Sequence, residues 1–368
     1  MPEGRSIVND CQTESRRVSD LIDYYLKPLA SKHDSYIKDS FDFLNKIRNK
    51  VIDNNFLLVS GDITSLYTNM HIKRSLAVVK RAFSRYPSAD RPDQAILDLL
   101  ELTLNNNDFS FNNEIFLQIF GTAMGKSFAP SLANIYLLNL DNQAINGFKI
   151  KPLFFFRFLD EIFFVWPGSR EDLDEYFTFL NSIIHNIKIT FTVNPTHINF
   201  LDLTIFKHFS HSHNCTTLQS KVYFKPTDSH ILLHSSSFHP PHTFISILKS
   251  QILRFKRLSS FQTDFDNSCN ILFTVLGRRG YNRRLMRKMK HDIWFGFNNR
   301  YHSTNKYNRN STLSPPKPII HIVIPYSKIA TQLVKAGRKE ILNSGNFSNY
   351  RIIAAYSKHK NLQQLFTH

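Results

Sequence analysis

The segment Leu153–Trp166, LFFFRFLDEIFFVW, constrains this chain more than any other part of it. Two aromatic runs flank Asp160 and Glu161, with no Gly or Pro between them. Short runs this rich in Phe read as buried strands. Burying both leaves two adjacent acids at a hairpin tip, which is costly unless they are protonated or bound to cations. Another short apolar run, FLLVSGD (56–62), reads as a second buried strand with Asp62 at its C-terminal end. If these strands are neighbours, about 5 Å apart, their acids can share a pair of Mg²⁺ ions. Two metals about 4 Å apart activate an attacking hydroxyl and stabilise a leaving oxygen in phosphoryl transfer. The bland alternative is an ordinary solvated acidic turn at Asp160-Glu161.

Composition narrows the setting. At 368 residues the chain holds two to three units of ordinary domain size. Hydrophobic residues at 42% and charged residues at 20% exclude global disorder. Lys and Arg number 46 against 29 Asp and Glu, a net charge of +17 that calls for a polyanionic partner, nucleic acid first. An anionic membrane surface is the second choice, but no 18-residue apolar run supports a spanning helix, so no membrane partner is expected. Cys11, Cys215 and Cys269 are odd in number and widely spaced, so no disulfide framework is expected. With no apolar block at the N-terminus, a reducing nuclear or cytoplasmic location is expected. Most of the 33 Phe and 14 Tyr belong in a core.

Along the chain, Ile22, Tyr25 and Leu29 and then Phe41, Leu44 and Ile47 predict two helices, broken near Pro28 and His33. Helices are predicted at 74–83, 92–104, 127–145 and 170–184, and strands at 187–193 and 198–207. Asn112-Asn113 between two aromatic runs signals a hairpin. His and Ser enrich 208–242, a basic helical pattern runs from Pro241 to about Phe297, and 301–318 is Asn-, Ser- and Pro-rich like a linker. His208, His211, His213 and Cys215 lack the spacing of a standard zinc module and fall at a tip between strands.

The motifs resemble a family. DITSLYT (62–68), GTAMGKSFAPSLANIYL (121–137) and FLDE (158–161) look like motifs A, B and C of reverse transcriptases, in order and spacing. RSIV (5–8), INFLDLTI (198–205), KPTD (225–228), HSSSFHPPH (234–242), LKSQILRFKR (248–257) and KNLQQL (360–365) resemble Penelope-like element reverse transcriptases, relatives of telomerase. The resemblance implies an α+β fold: a right-hand polymerase palm with partial fingers and a helical thumb. It divides the chain into partial fingers (1–55), palm (56–207), a primer-grip or connector hairpin (208–240), a basic helix-turn-helix-like thumb (241–300), a linker (301–318) and a small C-terminal segment (319–368). It also implies fingers truncated at their start and no GIY-YIG endonuclease after residue 319.

The resemblance makes Asp62 and Asp160 ligands of Mg²⁺, with Mn²⁺ as a substitute, and Glu161 the third catalytic acid, where the family carries a second Asp. The extra methylene of Glu moves the carboxylate by roughly 1 Å, against a catalytic tolerance of about 0.5 Å. Arg5, Ile63, Tyr67, Ala123, Met124 and Gly125 would contact a deoxynucleoside triphosphate. Arg5 would bind the triphosphate with its planar fork. Tyr67 would close off the sugar 2′ position, and Gly125 would let backbone approach the ligand. Lys126 and Ser127 are weaker choices. Asp202 is expected to be structural, and Lys188 a solvated lysine rather than a proton donor.

From Arg278 to Lys290 there are seven basic residues and no acid. Arg283, Arg287 and Lys290 fall on one helical face, which Arg284 and Lys288 widen. Together with Arg278, Arg279, Lys249, Arg254 and Arg257 they form a surface suited to the phosphates of an RNA or DNA template with its primer. Three readings compete. The first is an RNA-directed DNA polymerase using two metal ions. The second is a catalytically dead remnant that grips nucleic acid. The third, a two-metal nuclease, leaves Tyr67 and the 123–125 loop without a role.

Overall fold

The computed structural model describes residues 8, 10, 13–48, 50–211, 213–228, 231–296, 318–343, 347 and 349–357. Arg5, the 301–317 stretch and the late KNLQQL segment lie outside the described residues. The elements are, in chain order, α1 (Arg16–Ala30), α2 (Ser40–Ile47), β1 (Val51–Ile52), β2 (Leu57–Ile63), α3 (Leu66–Asn69), α4 (Ile72–Arg85), α5 (Asp93–Asn105), β3 (Asp108–Phe111), β4 (Glu114–Leu117), α6 (Ala129–Tyr136), α7 (Leu138–Asn146), β5 (Phe154–Phe158), β6 (Glu161–Trp166), α8 (Arg170–Ile183), β7 (Ile189–Asn194), β8 (His197–Phe200), β9 (Leu203–Ser210), β10 (Cys215–Val222), α9 (Pro241–Leu258), α10 (Gln262–Arg278), α11 (Arg283–Trp294), β11 (Ile319–Pro325), α12 (Lys328–Asn343) and β12 (Arg351–Ser357). The chain is α+β, and two compact units divide it: 1–228 with 255–268, and 229–254 with 269–368.

The first unit is organised by an antiparallel sheet in the order β5-β6-β2-β7. Every residue of β6 after Glu161 is buried, which is why its sequence is a continuous apolar run rather than an alternating one. Phe164 and Trp166 face a core with Ile22 and Leu26 of α1, Val79 and Phe83 of α4, Leu132 and Tyr136 of α6 and Tyr176 of α8. Phe163 points the other way and meets Phe43 and Phe200 edge to face or tilted, at 5.0 and 5.6 Å between ring centres. A second antiparallel sheet runs β1-β10-β9-β8.

The break expected near Pro28 and His33 falls after Ala30: α1 carries Pro28 in its last turn, and α2 begins at Ser40. Two expectations need correction. The helix expected at 127–145 is divided at Leu137 into α6 and α7. The strand expected at 198–207 reverses at Leu201-Asp202, where Leu201 takes φ 56°, and becomes the β8–β9 hairpin. Asn112 and Asn113 both take positive φ, as the predicted β3–β4 hairpin requires.

In the second unit, α10 and α11 flank a turn with Gly280 at φ +80°. Asn282 caps α11 by accepting from Leu285 N at 3.1 Å. Met286, Met289 and Ile293 form its buried stripe. Tyr281 Oη donates to Leu233 O at 3.0 Å, and Ser235 N donates to Arg279 O at 3.0 Å, so residues 233–235 are tied to the turn. β11 and β12 pair in parallel across α12. Among the described residues no helix is long and apolar enough to cross a membrane.

Candidate active site

β2 and β6 are direct neighbours, and their register sets Asp62 opposite Glu161. Residues directly opposite in an antiparallel pair project from the same face, so these two acids share one face at one end of the sheet. Asp160 sits in the two-residue turn between β5 and β6, and its carbonyl accepts from Ile63 N at 2.9 Å. Acids nearly a hundred residues apart in the chain are thus tied together by strand pairing. The turn contains neither Gly nor Pro; instead Leu159 takes φ 52°. A bulky residue in the left-handed region costs about 1–2 kcal/mol, and such strain concentrates where geometry matters to function.

Tyr67 lies on α3, just after β2. Its phenol is pushed up to about 12, first by burial and then by the negative charge of Asp160, so ring and acid face the same space. The backbone of Tyr67 also receives the 121–125 loop: Thr122 N donates to Tyr67 O at 2.7 Å. Gly121 takes φ +77°, and a Cβ there would stand 2.5 Å from Tyr67 O. Ala123 is buried, Met124 half-buried and Gly125 exposed. Ile63 is buried in the core, so only its backbone faces the acids. Gly125 takes φ +137°, and a Cβ there would stand 1.9 Å from Val8 O, while Val8 N donates to Met124 O at 2.9 Å. The chain's own early segment thus approaches the loop closely at this glycine. Lys126 is buried and donates to Asp10 at 2.9 Å and Ser15 at 2.7 Å, fastening the same early segment to the loop.

The acids carry an electrostatic imbalance. Glu161 is raised above the usual carboxylate range, chiefly by burial and further by the charges of Asp160 and Asp62. An N–H from Leu201, 2.9 Å from Glu161 Oε2, and the charge of Lys225 oppose this without cancelling it. Carboxylates on two adjoining strands are oxygen donors of the kind a hard divalent cation takes. Among the described residues no three His, Cys, Asp or Glu side chains group as an ion-binding set. Mg²⁺ takes one or two carboxylates and completes its shell with water and substrate phosphate. Asp62 and Asp160 are the residues that could hold such an ion, and Glu161 has one oxygen engaged by the Leu201 amide.

Other expected residues separate clearly. Asp202 accepts from Ser40 Oγ, and its carbonyl accepts from Tyr223 N at 2.9 Å. Lys188 is exposed, and its carbonyl accepts from Thr64 N at 2.9 Å. Arg157, the basic residue within the LFFFRFLDEIFFVW segment, is buried with its guanidinium on Asp141 and Asn134. A charged residue inside such a run was the available signal.

The basic residues lie on helices. Arg283, Arg284, Arg287 and Lys288 are exposed on α11 and Lys290 is half-buried, opposite the Met286–Met289–Ile293 stripe. Arg278 is exposed and Arg279 half-buried where α10 gives way to the turn. Arg283 and Arg287 line a cavity of about 340 Å³ with Asn270, Phe273, Thr274 and Met286. On α9, Lys249 and Arg254 are half-buried, and Arg257 is exposed with its guanidinium 5.6 Å from the Phe41 ring centre.

Comparison with known proteins adds two findings. The Animal helix-turn-helix domain family matches residues 231–291, the stretch that holds α9, α10 and most of α11. Among solved structures, the fold is similar to that of telomerase from Candida albicans in complex with a fragment of telomeric RNA. The TM-score is 0.51 and the identity 14%, over 75% of this chain and 50% of that one. The RNA-dependent RNA polymerase of a human picobirnavirus aligns at TM-score 0.47 and 11% identity, over 76% and 52%. Apo telomerase from Candida tropicalis aligns at 0.45 and 13%, over 75% and 52%. The chain therefore spans about half the length of these proteins. Comparison with curated proteins returned no match. The structural neighbours are telomerase and viral RNA-dependent polymerases at low identity, and the likeness is one of fold.

Proposed function

We propose that this chain is the polymerising core of an RNA-directed DNA polymerase of the Penelope-like kind. In this reading residues 56–207 form the palm, 1–55 part of the fingers, 208–240 the connector, 241–300 a helical thumb and 319–368 a small C-terminal segment. The observation that carries the reading is the register of β2 on β6, with Asp62 opposite Glu161 and the Asp160 carbonyl on Ile63 N. Asp62 and Asp160 hold Mg²⁺ or Mn²⁺. When bound, such ions supply activation of a primer hydroxyl and charge neutralisation at the departing pyrophosphate. Tyr67 closes the sugar pocket against a 2′-hydroxyl, and the Ala123–Gly125 loop, braced on Tyr67 and Val8, supports the incoming deoxynucleotide. Arg5, which lies outside the described residues, contacts its triphosphate. The basic faces of α9, α10 and α11 hold template and primer through their phosphates.

Primer extension on poly-rA/oligo-dT with Mg²⁺ or Mn²⁺ tests this. The expected result is deoxynucleotide incorporation that disappears in Asp62→Asn and Asp160→Asn. One observation favours a second reading, binding without catalysis: the Glu161 carboxylate is engaged by the Leu201 amide at 2.9 Å. No extension alongside intact, salt-sensitive duplex binding supports that reading. Recovery of extension in Glu161→Asp locates the defect in that one methylene.

A further inference from the structure

Arg157 stands on β5, two residues before the strained Leu159, with 2% of its side chain exposed. A guanidinium has five N–H donors, and every one is used. Nε donates to Asp141 Oδ1 at 2.8 Å and Nη2 to Asp141 Oδ2 at 2.7 Å, a bidentate pair with an acid that is fully buried on α7. Nη1 donates to Asn134 Oδ1 of α6 at 2.8 Å and to Leu159 O at 2.9 Å, and Nη2 to Asn134 O at 3.4 Å.

The bond from Nη1 to Leu159 O matters most. Leu159 O belongs to the peptide that enters Asp160, and the carbonyl that leaves Asp160 accepts from Ile63 N at 2.9 Å. The backbone of Asp160 is therefore held on both sides, by Arg157 before it and by the strand of Asp62 after it. Asn134 belongs to α6, the helix that follows the 121–125 loop, so one guanidinium joins that helix, α7 and the acidic turn. The pair is internally neutral, so its effect on Asp160 is one of placement.

Stability alone does not account for it. Buried ion pairs are often replaced by apolar residues of similar volume with no loss of stability. We infer that Arg157, clamped by Asp141 and Asn134, is a positioning residue that sets the Asp160 carboxylate against Asp62. The inference rests on the reading of these two acids as the ion-holding pair.

The test uses the full chain carrying Arg157→Met together with Asp141→Leu, which removes both charges at similar volume. The melting temperature is expected to fall by several degrees with cooperative folding kept, because the two charges leave together while Asn134 Oδ1 and Leu159 O lose a donor. Two signals are read: hydrogen exchange at the Ile63 amide, which donates to Asp160 O, and Mn²⁺ binding by electron paramagnetic resonance. Ile63 exchange is expected to quicken about tenfold while Leu58–Ser60, deeper in β2, stay protected. Mn²⁺ is expected to bind about 10–100-fold more weakly, the usual effect of losing a group that supports a ligand. Arg157→Lys keeps the charge but not the planar fork. It is expected to show the same losses, and it serves if the paired variant does not fold.

Wild-type exchange and Mn²⁺ affinity in a folded variant overturn the inference. So does a uniform loss of protection across the sheet, or failure of both variants to fold, since either makes the pair a folding element. A wild-type chain that binds no Mn²⁺, or binds it as well with Asp62→Asn, overturns the ion-site reading instead. The Ile63 exchange then still decides whether Arg157 positions Asp160.

Discussion

The acidic end of the central sheet and the basic face of α11 both concentrate charge, and they are built in opposite ways. At the sheet, Asp62, Asp160 and Glu161 are placed by strand register, a strained turn and buried partners. On α11, Arg283, Arg284, Arg287 and Lys288 stand exposed above a simple Met286–Met289–Ile293 stripe. Holding an ion against a reacting phosphate tolerates about 0.5 Å of error, so its ligands need a rigid frame. Gripping a phosphate backbone needs charge density on one face and little else. Mutations in the first region should therefore act as switches, and those in the second as gradual losses.

The largest expected effect is at the switch. On the proposed reading, in which these side chains hold the ion, Asp160→Asn or Asp62→Asn should lower primer extension by at least about a thousandfold. Duplex affinity in a filter-binding assay should be unchanged. A loss below about tenfold breaks the contrast, because the acids would then behave like the graded basic surface.

Gly125→Ala comes next and probes the frame. A Cβ 1.9 Å from Val8 O, on backbone at φ +137°, forces the early segment off the loop. The expected cost is about 2–3 kcal/mol in chemical denaturation. An unchanged midpoint means that the Val8 contact does not brace the loop.

Neutralising the basic face tests the other half of the comparison. Arg283→Ala, Arg287→Ala and Lys290→Ala together should weaken duplex binding by roughly 10–100-fold at moderate salt. They should also flatten the plot of log affinity against log salt by about 0.9 for each phosphate that is no longer neutralised. Each single change should give about a third of that flattening. If one of them alone removes nearly all binding, α11 holds a specific pocket, and the cavity shared by Arg283 and Arg287 is the place to look.

The two regions were unequally legible in the sequence. The β5–β6 hairpin and β2 announced themselves because each is written as a short, largely apolar run, continuous in β6 where both faces are buried, and the acids at their ends stood out against that background. The face of α11 was legible from its helical period. Turns made by Leu159 and Leu201 were not, because a bulky residue at positive φ is chosen by its surroundings and leaves no Gly, Asn or Pro signature. The partner of Arg157 was equally hidden. A charged residue in a buried strand demands a counter-charge, but only the packing of α7 on the sheet identifies Asp141. The Val8 carbonyl that crowds Gly125 was equally hidden, because it belongs to a segment more than a hundred residues earlier in the chain.

The smallest expected effect separates charge from geometry within the acidic site. Glu161 is raised by burial and by its two acidic neighbours, so the folded chain holds its proton more tightly than the unfolded chain. For a carboxyl shifted in this direction, folding is favoured most below the unfolded value of about 4.3. Stability then declines as pH climbs through the raised folded value and is flat above it, because over that window the native state binds more protons than the unfolded one. Glu161→Gln keeps an oxygen for the Leu201 amide and deletes the charge. It should raise stability at neutral pH by about 1 kcal/mol or less and remove this part of the pH slope, as read by urea melts at pH 4, 6 and 8. Adding Mg²⁺ should then stabilise wild type more than the variant, since a cation relieves a repulsion that the variant no longer has. Equal gains in both chains would leave Glu161 outside the ion's field, with Asp62 and Asp160 alone to hold it.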